Sequence, residues 1–229
     1  MYKDKKIAAL IPARSGSTRV KDKNIRPLDG KPLILHTLNS CAESALLDGV
    51  YISSDSTQIC QHGMPFGAKP IYRPPEISDS TSSTELAIMH SIESGLSQYD
   101  YIMLLQPTSP IRNRGRIDDA IRFLVDGKFQ SIVSVFPDPM LWWVRHRNKP
   151  IPSYNIHDRP RSQDHYVLEE TGSIYIFNVE SFVQSKSRII YPVGLFEMRS
   201  IGENIDIDEE IDFYIAETCI QKREQYGLF

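Results

Sequence analysis

Apolar runs alternate with segments of helical spacing along most of the chain. Residues 6–11 read as a buried strand that ends at Pro12. Residues 33–46 have helical periodicity, with Ile34, Leu35, Leu38, Cys41 and Ala42 on one face. Pro32 sits near that start, where proline is tolerated. Strands are expected over 49–53 and 68–72, and a helix over 84–96 with Ser83 or Thr84 as its N-cap. A strong strand over 101–105 is stopped by Pro107, and a helix over 115–125 leads to a strand over 131–136. A strand returns over 172–179, and a helix over 209–222 closes the chain with Ile211, Ile215, Thr218 and Cys219 on one side. This alternation predicts an α/β fold, with a parallel sheet covered by helices on both faces.

The pattern breaks over 137–165. Pro137, Pro139, Pro150, Pro152 and Pro160 punctuate it, and Trp142 and Trp143 stand beside Arg145, His146 and Arg147. The segment reads as an excursion from a single domain spanning 1–229. Two adjacent tryptophans there fit either a flap packed on its own chain or a subunit contact.

Composition narrows the class. With 229 residues, 41% hydrophobic and 24% charged, the chain is neither collagen-like, coiled-coil nor disordered. A formal net charge of −3 leaves no global basic excess, so no nucleic-acid partner is expected and any anion site must be local. Cys41, Cys60 and Cys219 show no Cys-x-x-Cys spacing, which supports neither a zinc ribbon nor a disulfide framework and suits a reducing cytoplasm. The apolar stretch 7–11 is too short for a signal peptide or a membrane span, so no membrane partner is expected.

Three segments concentrate chemistry. The first, Arg14-Ser15-Gly16-Ser17-Thr18-Arg19-Val20-Lys21-Asp22-Lys23-Asn24, follows the first strand, where ligands bind in open α/β sheets. Small residues at 15–17 let backbone N–H groups approach an anion, and Arg14, Arg19, Lys21 and Lys23 neutralise it. Each charge-assisted bond to phosphate contributes roughly 1.5–3 kcal/mol. The spacing is neither a P-loop nor a dinucleotide fingerprint. A solvated basic loop is the alternative. The second, Gln106-Pro107-Thr108-Ser109-Pro110-Ile111-Arg112, ends the 101–105 strand. It fits either a rigid platform presenting Gln106 and Thr108 or a simple proline-capped turn. In the third, Asp206 and Asp208 alternate around Ile207 and project to one face if extended. They suit a hard divalent cation such as Mg²⁺, or else cap the last helix, Asp206 pairing with Glu209 as a capping box. The six histidines form no metal spacing, and no Gly-x-Ser-x-Gly elbow occurs.

Further short matches join these segments in order: Gly30-Lys31-Pro32-Leu33, Ser53-Ser54-Asp55, Arg73-Pro74 with Ser82-Ser83, and Gly172-Ser173-Ile174-Tyr175. The ordered set spans nearly the whole chain and resembles the acylneuraminate cytidylyltransferase family. The resemblance implies a Rossmann-like nucleotidyltransferase sheet with helices on both faces, a small dimerisation excursion, and a homodimer. It implies transfer of CMP from CTP to a nine-carbon 2-keto sugar acid with release of pyrophosphate, and Mg²⁺ as cofactor. By the same resemblance Arg14, Ser15, Gly16, Ser17 and Lys23 hold the CTP phosphates, and Asn24, Arg73 and Ser83 hold the nucleotide. Gln106, Thr108, Arg161 and Tyr175 face the sugar, and Asp206 and Asp208 bind the metal. Arg14 and Lys23 stabilise developing charge, and Asp208 assists removal of the hydroxyl proton. Thr18 stands where many members carry Lys, and Thr171 where many carry Asn. The second change falls near the expected sugar pocket, which leaves N-acetylneuraminate, legionaminate and pseudaminate as acceptors. Two other classes compete with this reading. A glycosyltransferase using Asp206-x-Asp208 leaves the basic first loop unexplained, and a non-catalytic nucleotide-binding protein has no need of both aspartates.

Overall fold

A computed structural model describes residues 1–161 and 163–226. In chain order the elements are β1 (Ile7–Pro12), β2 (Pro27–Leu28), β3 (Lys31–Pro32), α1 (Leu33–Ala42), β4 (Gly49–Ser54), α2 (Thr57–Gln61), β5 (Lys69–Tyr72), α3 (Thr84–Glu93) and β6 (Tyr101–Leu105). They continue with α4 (Arg116–Asp126), β7 (Ser131–Asp138), β8 (Trp143–His146), β9 (Lys149–Pro152), β10 (Val167–Asn178), α5 (Val179–Ser185), β11 (Val193–Glu197) and α6 (Glu210–Tyr226). Seven strands form one sheet in the order β11-β7-β10-β6-β1-β4-β5.

Both faces of the sheet are buried, which is why β1 reads as an uninterrupted apolar run. Its side chains alternate between two cores. Ile7, Ala9 and Ile11 pack with Ile34 and Leu38 of α1 and with Ile117, Ile121 and Leu124 of α4. Ala8 and Leu10 pack with Ile88 and Ile92 of α3 and Phe182 of α5. A third, smaller core joins Val20, Leu28, Leu33, Ile207, Phe213 and Ala216. It fastens the basic first loop to the segment before α6, and so sets the two halves of the cleft against each other.

One strand departs from the expected parallel sheet. β10 runs antiparallel to both β6 and β7, while every other pairing in the sheet is parallel. The reason lies in the connection. A parallel pair needs a crossover, usually a helix, but the chain passes from β7 to β10 through the 137–165 excursion, which brings it straight back. β7 and β10 stay paired out to Asp138 and Val167, and β8 and β9 form a separate hairpin at the tip. Trp142 and Trp143 remain 46% and 55% exposed there, so they are not a flap buried on their own chain.

Shorter departures have local causes. α1 stops at Ala42 because the Ser44 hydroxyl and the Asp118 carboxylate accept from the N–H groups of Leu46 and Ala45 and turn the chain. The α3 periodicity ends at Gly95, which has φ +126°. Among the described residues no helix is long and apolar enough to cross a membrane.

Candidate functional site

A cleft of about 440 Å³ opens at the carboxyl ends of β1 and β6. The first loop, the Gln106–Thr108 turn and the Asp206–Asp208 segment all line it, with Arg73 and the start of α3.

The first loop is held at both ends. Ser15 donates from its N–H and its hydroxyl to the Asp55 carboxylate at 2.8 and 2.6 Å. The buried Asn24 amide donates to the Arg14 carbonyl at 2.9 Å. Desolvation pushes the Asp55 carboxyl up, but the two Ser15 bonds outweigh it and hold the group below the ordinary carboxylate range. Arg14 is left facing the cleft. Arg73, 8% exposed, enters from the end of β5 and donates to the Ser53 carbonyl at 3.3 Å, while its Nε finds no protein partner. Burial draws its pKa down. The guanidinium stands on the cleft wall with Arg14, a placement that suits a polar or anionic ligand group.

The Gln106–Pro110 turn is more than a proline-capped stop. Arg112, almost wholly buried, donates to the carbonyls of Gln106 and Ser173 at 2.8 and 3.0 Å and to the Thr37 hydroxyl at 3.0 Å. Burial pushes its pKa down to about 10, so it keeps its charge at neutral pH. A turn pinned by a buried cation is a platform, and Gln106 and Thr108 project from it into the cleft.

The third segment settles its own ambiguity. Asp212 supplies the cap of α6: its Oδ2 accepts from the N–H groups of Asp208 and Glu209 at 2.8 and 2.7 Å. Neither Asp206 nor Asp208 serves as a helix cap, which corrects the capping-box alternative. The Ile207 N–H donates to the Thr108 carbonyl at 2.7 Å and the Ile207 side chain is fully buried, so both carboxylates turn to the cleft. Asp206 is exposed to the cleft, but surrounding protein and the Asp208 charge raise its pKa, against hydrogen bonds from Thr108 and Ser109. Asp208 is likewise pushed up by its recess. Lys23 and Arg19 outweigh that and hold it below the ordinary range. Lys23 Nζ donates to the Ile207 carbonyl at 2.6 Å and to Asp208 Oδ1 at 3.2 Å.

Of the residues singled out from sequence, Arg14, Ser17, Arg19, Lys23, Asn24, Arg73, Ser83, Gln106, Thr108, Asp206 and Asp208 share this cleft. Five do not line it, and one of them, Lys21, is exposed on the first loop. Ser15 is spent on Asp55, and Gly16 lies outside on the same turn. Arg161 is exposed and paired with Asp164 at 2.7 Å. Tyr175 is 3% exposed, donates its hydroxyl to Glu170 and carries the Arg188 cation 4.5 Å above its ring. Asp55 and Arg112 carry no site expectation from the sequence, although Asp55 closes a matched motif. Arg112 gave no signal, because a buried arginine in a loop looks like a surface one.

Together the sheet order and the cation-lined cleft define an α/β nucleotidyltransferase. A family model described as Cytidylyltransferase matches residues 8–139. The CMP-N,N'-diacetyllegionaminic acid synthase of Legionella pneumophila is 32% identical over 96% of this chain and 98% of its own length. The N-acylneuraminate cytidylyltransferase of Escherichia coli is 29% identical over 97% of this chain, which spans 54% of that protein. A solved CMP:2-keto-3-deoxy-manno-octonic acid synthetase complexed with CTP superposes with a TM-score of 0.71 at 18% identity, over 95% of this chain and 99% of that one, and shares the fold. The chain belongs to the cytidylyltransferase family and is a CTP-dependent nucleotidyltransferase of the acylneuraminate type.

Proposed function

We propose that this enzyme transfers CMP from CTP to a nine-carbon 2-keto sugar acid of the sialic-acid kind and releases pyrophosphate. The observation that carries the reading is the convergence, in one cleft, of Arg14, Arg19, Lys23 and Arg73 with Asp206 and Asp208. In the reaction the acceptor's anomeric hydroxyl attacks the α-phosphorus in line, and negative charge builds on the phosphate oxygens and on departing pyrophosphate. Arg14 and Lys23 meet that charge in a fixed geometry. Arg73, Asn24 and Ser83 take the nucleoside side, and Gln106 and Thr108 take the acceptor.

The carboxylate pair fits a divalent cation of the Mg²⁺ type. Surrounding protein and then the Asp208 charge raise Asp206, a strain that a dication relieves. Among the described residues no cluster of three or more His, Cys, Asp or Glu side chains could hold a metal alone. Two carboxylates completed by substrate phosphates is the usual Mg²⁺ arrangement. When bound, the ion neutralises triphosphate charge. Lys23 and Arg19 are engaged with Asp208 in the free protein. Their transfer to the triphosphate would free the Asp208 carboxylate to hold the ion and to assist removal of the hydroxyl proton.

Incubation with CTP, Mg²⁺ and N-acetylneuraminate, legionaminate, pseudaminate or Kdo tests the reading by pyrophosphate release. Release with one nine-carbon acid, abolished by EDTA, is expected. CTP binding without release across the panel, or no CTP binding, overturns it.

The exposed arm tip supports a homodimer. Val144, Ile151 and Ile156 add to the two tryptophans, and all are about half exposed or more. Multi-angle light scattering at micromolar concentration should give a dimer that Trp143→Asp shifts toward monomer. A monomeric parent protein counts against it.

A further inference from the structure

The pairing of β10 with β7 slips between Glu170 and Tyr175, and Gly172 lies in that bulge with φ +71°. This is the left-handed region, where glycine is at ease and other residues are strained. The glycine also faces the cleft platform. A Cβ at position 172 would lie 2.9 Å from Gln106 Oε1, and its other near neighbours, Gln106 Cδ and Ser109 Oγ, stand at 3.9 Å. The one close contact is therefore the far end of the Gln106 side chain rather than any backbone atom.

The bulge is locked by hydroxyls that the reaction does not use. Thr171 Oγ1 and Ser134 Oγ lie 2.7 Å apart, Ser134 Oγ accepts from the Ile174 N–H at 2.9 Å, and Thr171 Oγ1 accepts from the Ser173 N–H at 3.3 Å. Thr171, Ser134 and Ser173 are at most 5% exposed. On the other side, Arg112 bonds the carbonyls of both Gln106 and Ser173, which ties the bulge to the platform.

We propose that Gly172 is a positioning residue for acceptor selection: the absence of a side chain at this locked bulge lets the Gln106 amide lie back against β10 and sets the depth of the acceptor side of the cleft. The inference rests on the reading that Gln106 faces the acceptor. Any side chain at 172 drives the amide forward into the space that the acceptor occupies. The Thr171–Ser134 pair keeps the bulge, and with it the distance, fixed.

A double-substitution cycle tests this with the parent, Gly172→Ala, Gln106→Ala and the combined protein. The readouts are KM and kcat for the panel acid that releases pyrophosphate fastest, and the CTP Kd by calorimetry. Gly172→Ala should raise the acceptor KM at least fivefold with kcat changed less, and leave the CTP Kd within twofold. In the Gln106→Ala background the same change should raise the acceptor KM less than twofold. Multiplying effects, or an equal loss of CTP affinity, overturn the role of Gly172. A Gln106→Ala protein with the parent's acceptor KM overturns the underlying assignment of Gln106 instead, and Gly172 falls with it. If Gly172→Ala fails to fold, Thr171→Val supplies the test. It keeps the glycine and removes the hydroxyl lock, and should raise the acceptor KM with recovery in Thr171→Ser. Unchanged KM in Thr171→Val overturns the proposal.

Discussion

The Asp206→Asn protein is expected to lose turnover by about 100-fold or more and yet melt at a higher temperature than its parent. The first effect follows from removing one of two carboxylates that would hold the cation, in a site where single charge-stabilising groups contribute on the order of 10²–10³ in rate. The second follows from linkage. The folded protein holds the Asp206 carboxyl above its ordinary range, chiefly because the group is recessed and then because Asp208 faces it. A group raised in this way favours the folded state fully below its unfolded pKa of about 3.9, and that advantage is lost as the pH rises through the folded value. At neutral pH the ionised carboxylate is a net cost of folding, and neutral asparagine removes it. Asp206 is exposed to the cleft, so solvent screens much of this cost and the gain in melting point, read by calorimetry, should be small. An unchanged or lower melting point without metal would show that Asp206 is not strained, and turnover near the parent's would remove it from the reaction.

Glu203→Ala should do the opposite and destabilise the fold by about 3–5 kcal/mol. Glu203 is fully buried and faces Arg116, 2% exposed, at 3.3 Å. Its two oxygens also accept from the N–H groups of Asn113 at 3.1 Å and Arg199 at 2.8 Å. Truncation leaves a buried guanidinium, already drawn down by burial, with Asp119 at 3.9 Å as its nearest remaining carboxylate. It also orphans two backbone donors. Those losses act in the loop before α4 and in the turn Ile201–Asn204, which leads directly to Asp206. CTP affinity should therefore fall with stability. A melting point within 2 °C of the parent would refute the argument. The Glu203→Ala/Arg116→Met protein should regain much of the loss, because the uncompensated charge is then gone.

Much of this architecture is legible in the sequence, for physical reasons that also mark where legibility stops. β1 and β6 are apolar throughout because both sheet faces are covered, and their ends are cut by Pro12 and Pro107. The cleft residues that can be read beforehand are those whose type is costly without a ligand: the cations of the first loop and the paired aspartates. The direction of β10 is not legible, since a strand's direction depends on how the chain reaches it. The first residues of β10, including Glu169 and Glu170, form an exposed arm and lack strand periodicity. β11 is an edge strand with Leu195 exposed, so it carries little apolar signal. Arg112, Asp55 and Glu203 escape because their work is done through partners far away in the chain. Ser15 misleads because its pattern suits an anion, while Asp55 has already taken its donors.

The cap supplied by Asp212 has an evolutionary consequence. The start of α6 depends on neither cleft aspartate, so selection for chemistry and selection for this helix act on different positions of the same short segment. A duplicated copy of this gene that loses Asp206 by drift sheds the reaction and still encodes a folded protein. The route from a transferase to a nucleotide sensor is then only a few substitutions long, and passes through no unfolded intermediate.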